Sequence, residues 1–117
     1  MNRDRQHAER MLETAREMSA LADQGRFRVD PITTERIHLR AIFLSESADR
    51  LSPGFKSRYP SLWEMVRVFR TNVVHEYEAI DAEELWTFIR DDLPLVVRTL
   101  RTARFPKETA ARARQKR

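Results

Sequence analysis

The spacing of apolar residues constrains this chain more than any other feature. Ala8, Met11/Leu12, Ala15, Met18 and Ala22 recur at three- and four-residue steps. So do Ile37, Ala41, Leu44, Ala48 and Leu51, then Leu62, Val66, Phe69 and Val73, and lastly Leu85, Ile89, Leu93, Val96 and Leu100. Each run makes one stripe on a helix, whereas a half-buried strand would alternate at every second residue. Two glycines in 117 residues leave little material for the tight turns of a strand-rich fold. The spacing predicts an all-α chain.

The punctuation between the runs agrees. Gly25 follows the first stripe, where a left-handed C-terminal cap is expected, so helix one should cover about residues 3–24. Asp30-Pro31 reads as an N-cap with proline in the first turn of helix two. Ser52-Pro53-Gly54 ends that helix, and residues 52–60 read as a loop or short turn. Ser61 to Glu64 and Asp81 to Glu84 have capping-box spacing for helices three and four. Pro94 lies inside the fourth stripe and lacks an N–H, so a kink or restart is expected near Arg90. Four amphipathic helices with short connections imply an antiparallel four-helix bundle. Many stripe positions are only alanine or methionine, so the core is small, and a homodimer would bury more apolar area.

Composition narrows the chemistry. Without cysteine there is no disulfide, no thiolate nucleophile and no cysteine zinc site. No apolar run approaches the roughly 20 residues of a membrane span, and no signal-peptide core follows Met1, so a cytoplasmic protein away from membranes is expected. The net charge of +4 is unevenly placed. Residues 104–117 hold six basic residues and one acid, while residues 1–103 hold 16 basic and 17 acidic residues. The chain divides into a near-neutral helical body, 1–103, and a basic C-terminal tail, 104–117. Such a tail either touches RNA phosphates non-specifically or is a solvated end.

His7, His38 and His75 are far apart, with no second ligand at metal-binding spacing, so neither a metal nor another cofactor is expected. No phosphate-cradling glycine loop or nucleophile motif occurs. The dense stretch is Arg70-Thr71-Asn72-Val73-Val74-His75-Glu76-Tyr77. On an ideal helix with Leu62 at zero, the third stripe falls within about 40°, whereas His75 falls at about 220°. His75 therefore lies off the core face of its own helix. Arg70 and Tyr77 sit at the stripe's edge, at about 80° and 60°. Arg70 and His75 would converge if the helix unwinds near His75, or if two copies face each other across a twofold axis.

Such a pair suits phosphodiester chemistry. An imidazole exchanges protons near neutral pH, and a guanidinium holds phosphate and stabilises charge on its oxygens. Asn72 offers a further polar contact, and Tyr77 can orient His75, stack on a base or be modified. Arg67, at about 140° on the same wheel, is either a phosphate contact or a solvated arginine. Trp63 and Trp86 lie beside the stripes and read as packing residues. The arginine–histidine spacing alone carries little weight in so arginine-rich a chain. The plain reading is a surface histidine near an arginine paired with Glu76 or Glu78.

The wider pattern resembles the HepT toxins of the HEPN superfamily. It comprises Pro60-Ser61-Leu62-Trp63, then Arg70 to Tyr77, then Asp81, Leu85-Trp86 and Asp92-Leu93-Pro94, with Arg3-Asp4 and Leu44-Ser45-Glu46-Ser47-Ala48 upstream. The resemblance spans about residues 3–100. It implies an all-helical homodimer that cleaves RNA without a metal, with Arg70 and His75 as the catalytic pair at the dimer interface. Asn72 and Glu46 would support them. It also implies a nucleotidyltransferase antitoxin that silences the toxin by transferring AMP to Tyr77. The chain departs from the family pattern in placing Thr71 before the asparagine, Glu76 where glycine is common, and Ser45-Glu46-Ser47 for glycine-glutamate-alanine. A non-catalytic helical module that partners a nucleotidyltransferase is the alternative. The near-neutral body argues against a DNA-binding repressor.

Overall fold

The computed structural model describes residues 3–23, 30–70 and 82–105. The helices are α1 (Asp4–Asp23), α2 (Pro31–Asp49), α3 (Pro53–Arg58), α4 (Pro60–Phe69), α5 (Ala82–Thr87) and α6 (Leu93–Thr102), with a π turn at Phe88–Asp92 between the last two. No strand occurs among the described residues. Gly25, Val73 and Asp81, and with them the expected cap after helix one and the start of the second capping box, lie outside the described residues.

Helices α1 and α2 form the frame. Ala8, Met11, Ala15, Met18 and Ala22 are buried, as are Ile37, Ala41, Leu44 and Ala48. The alanines let the two backbones approach closely, and the longer side chains fill the spaces between them. Asp4, at the start of α1, meets Ser52, just past the end of α2, while Glu17 pairs with Arg40 at 3.0 Å. The two helices therefore run antiparallel.

Their joined end is pinned by Asp4, which is only 2% exposed. Its carboxylate accepts from the Ser52 N–H at 2.8 Å and the Ser52 hydroxyl at 2.6 Å. The Ser52 oxygen in turn accepts from the Phe55 N–H at 3.1 Å and caps α3. This is why residues 53–58 are a short helix where a loop or short turn is expected: Ser52 supplies a cap, and Pro53 is already set for the first turn. At the other end of α2, the Asp30 carboxylate accepts from the Ile32 N–H and the Thr33 hydroxyl, with Pro31 in the first turn.

Helix α4 corrects a second expectation. It starts at Pro60, one residue before Ser61, and Tyr59 makes no side-chain cap. Ser61 lies inside the first turn, and Glu64 pairs with Arg67 instead of closing a capping box.

The last helical run passes from α5 through the π turn into α6 without a gap. Pro94 lies in the first turn of α6. Just before it the Leu93 N–H donates to the Phe88 carbonyl, the i to i−5 step of a π turn. Leu85, Phe88, Ile89, Leu93, Val96 and Leu100 are buried. Beyond α6, Phe105 packs on Phe55 with ring centroids 5.8 Å apart, and the Arg104 N–H donates to the Tyr59 hydroxyl at 2.9 Å. Two residues assigned to the tail by composition thus lie on the body. Arg5 of α1 sits over the Phe105 ring, so α6 runs back along α1.

Candidate functional site

The site begins with Phe69. This residue is 5% exposed and stacks on Phe88 of the π turn, with centroids 3.8 Å apart and planes 19° apart. The stack fixes the last turn of α4 against the π turn that follows α5. Arg70 follows directly, with helical backbone angles and its N–H donated to the Arg67 and Val66 carbonyls. Its backbone is therefore held by both the stack and the helix.

The Arg70 guanidinium reaches across to α2. Its Nη1 lies 3.1 Å from Oδ1 of Asp49, the last residue of that helix. The two side chains are 39% and 50% exposed, so the pair is open to solvent on one side. Asp49 is held independently through its backbone: its carbonyl accepts from Lys56 Nζ at 3.1 Å. The same ammonium sits 4.1 Å from the Trp63 ring centre. Trp63, expected to pack, does so half-buried against the core.

Arg67 points elsewhere. It forks onto Glu64 of its own helix, with contacts of 2.6 and 3.2 Å, and is exposed. That hydrogen-bonded pair holds the Glu64 carboxyl below its ordinary pKa. Glu46 is exposed on α2, one turn before Asp49. His75, Asn72 and Tyr77 lie outside the described residues. The structure thus brings Arg70 to Asp49, and it turns Arg67 toward a local partner.

Sequence reasoning missed Asp49. Residues 46 and 49 are three apart and share a helix face. Only the path of α4 across α2 selects between them. It also missed a groove of about 840 Å³ between α4 and α5. Phe69 and Phe88 line it together with Glu64, Glu83, Glu84 and Asp92. Burial, with Asp91 nearby, pushes the Asp92 carboxyl above its ordinary pKa. Four carboxylates make this groove a poor seat for an RNA backbone.

The other histidines stand apart. His38 is buried in α2. His7 is half-buried on α1, and its Nδ1 is buried with no hydrogen-bond partner. Burial lowers the His7 pKa, and Arg10, Arg50 and Arg3 lower it further against the pull of Asp4. Among the described residues, no three histidines or carboxylates group as metal ligands. Among the same residues, no helix is long and apolar enough to cross a membrane.

A family-wide sequence model described as Ribonuclease HepT-like matches residues 8–103. No match is found among curated proteins or among solved structures. The matched span takes in α1 from Ala8 onward, all of α2, the Arg70–Asp49 contact and the whole stretch from Arg70 to Tyr77. The chain belongs to the HepT-like ribonuclease family.

Proposed function

We propose that this protein is a cytoplasmic toxin that cleaves RNA without a metal, with Arg70 and His75 as its catalytic pair. The observation that carries the reading is the family match across Arg70 to Tyr77, with Arg70 fixed at the end of α4 and open to solvent on one side. In the reaction His75 takes the proton of a ribose 2′-hydroxyl, and O2′ attacks the adjacent phosphorus. The bond to the 5′-oxygen breaks, and that oxygen leaves with a proton from water, to which His75 later returns the proton it took. The products are a 2′,3′-cyclic phosphate and a 5′-hydroxyl. Arg70 holds the phosphate and stabilises the charge that builds on its oxygens. Asn72, Glu46 and Arg67 are supporting positions around this pair, of lesser effect.

The active form in this proposal is a homodimer of four-helix HEPN-type protomers, with the tail following the body. The small frame core supports a second copy, and so does the outer face of α2. Ile32, Leu39 and Phe43 recur there at helical spacing and are about half exposed or more. Phe43→Glu should leave the helical content intact and weaken self-association at least about tenfold in sedimentation.

Regulation is assigned to Tyr77. A nucleotidyltransferase antitoxin would join the tyrosine oxygen to the α-phosphorus of ATP and release pyrophosphate. The added nucleotide would repel RNA and fill the cleft.

The test incubates purified protein with total RNA in excess chelator, beside His75→Ala, with the intact mass of both recorded. Cleavage that resists chelator and disappears in the variant is the expected result. Equal cleavage by the variant overturns the assignment. No cleavage at unmodified mass favours a binding module that partners a nucleotidyltransferase, whereas no cleavage with added AMP mass identifies the silenced form.

A further inference from the structure

We propose that Asp49 is the positioning residue of Arg70: it orients the guanidinium for the RNA phosphate and yields part of it when substrate arrives. The inference rests on the catalytic reading of Arg70 given above. Its own support is geometric. Arg70 precedes His75 by five positions, and a long arginine side chain left alone is free to take many rotamers. Two contacts remove that freedom from opposite directions. The Phe69–Phe88 stack fixes where the side chain starts, and Asp49 fixes where its charged end lies.

Asp49 is itself a firm anchor. It closes α2, whose inner face is buried against α1, and Lys56 holds its carbonyl while lying over Trp63 of α4. The backbone that carries the carboxylate is therefore tied to α3 and, through Lys56, to α4. A guanidinium has more N–H donors than one carboxylate can take, so donors remain for a phosphate while the pair persists. The pair is also half open to solvent, which leaves room for a phosphate beside it.

This arrangement has two opposed consequences. Orientation favours the chemical step, because a misplaced guanidinium stabilises the transition state less well. The negative charge of Asp49 also competes with phosphate in the ground state, which weakens binding. Loss of the carboxylate should therefore lower kcat without raising KM, the signature of a group that spends ground-state binding on orientation. A role in stability alone would not produce that split.

The experiment measures kcat and KM for cleavage of total RNA in excess chelator, with wild type, Asp49→Asn, Asp49→Glu, Arg70→Ala and Asp49→Asn/Arg70→Ala. Thermal melting is recorded for each. Asp49→Asn is expected to lower kcat about tenfold with KM no higher. Asp49→Glu should restore most of the rate, because it returns the charge. On the Arg70→Ala background, Asp49→Asn should change nothing further. Wild-type kcat in Asp49→Asn, with Arg70→Ala impaired, overturns the positioning role and leaves the catalytic reading standing. An equal loss on both backgrounds, or a rise in KM, also overturns it. Full activity in Arg70→Ala overturns the catalytic reading and the positioning role together.

Discussion

Helices α1 and α2 meet through alanines and methionines, whereas α4 meets the π turn through two stacked phenylalanines. In the first region each residue follows its local rule: regular stripes, an aspartate cap, a proline in the first turn. The second region departs from those rules, with an uncapped start to α4 and a change of hydrogen-bond register ahead of Pro94. The packed faces of the frame carry stability, and the end of α2 presents Asp49 to Arg70. The irregular region sets the end of α4, and with it Arg70, which reaches across to Asp49 of α2. Irregular helical turns of this kind are common at functional sites.

The comparison breaks most sharply at Arg70. Arg70→Ala should cut RNA cleavage about 1,000-fold, or about 4 kcal/mol of transition-state stabilisation. Its melting temperature should stay near wild type, since a half-exposed ion pair contributes about 1 kcal/mol or less. Arg67→Ala, three residues away, should change the rate by less than about threefold, because its ion pair with Glu64 is exposed to solvent. Equal losses in the two variants would remove the distinction between them.

The frame responds in the opposite sense. Leu44 is fully buried between the helices, so Leu44→Ala should cost about 3 kcal/mol in denaturant unfolding. The rate per folded molecule should not change. Asp4→Ala leaves the Ser52 N–H and hydroxyl without their buried acceptor and should cost about 2 kcal/mol. A loss of activity without a loss of stability in either variant would mean that the frame takes part in the chemistry.

The smallest effect is that of pH at His7. Its folded pKa lies below the unfolded value of 6.5, so the folded state binds fewer protons. Stability should therefore fall as pH drops from 6.5 through the folded pKa, and be unaffected above. His7→Asn should flatten that part of the stability-versus-pH curve. An unchanged slope would assign the acid sensitivity to another group.

The stripes were legible because burial imposes the helical period directly. Every residue read as a stripe within the described segments is buried, apart from the half-buried Leu12. Helix α3 was less legible because Ser52 looks like a terminator until Asp4, 48 positions earlier, is seen to hold it. The capping box at Ser61 misled because Pro60 can itself open a helix. At the candidate site, the sequence pattern singled out Arg70 and gave no sign of its partner Asp49. A side-chain pair between helices depends on where their axes cross, and no periodicity encodes that. Glu46 and Asp49 carry the same charge on the same face, and Arg70 pairs with Asp49.

The most direct test of the account is a double-variant cycle on Arg70 and His75, read as initial rates of total RNA cleavage in excess chelator. If the two residues act as one catalytic unit, Arg70→Ala and His75→Ala should each lose about 1,000-fold or more. The double variant should then be little worse than either. Wild-type cleavage by either single variant, or losses that multiply fully in the double variant, would contradict it.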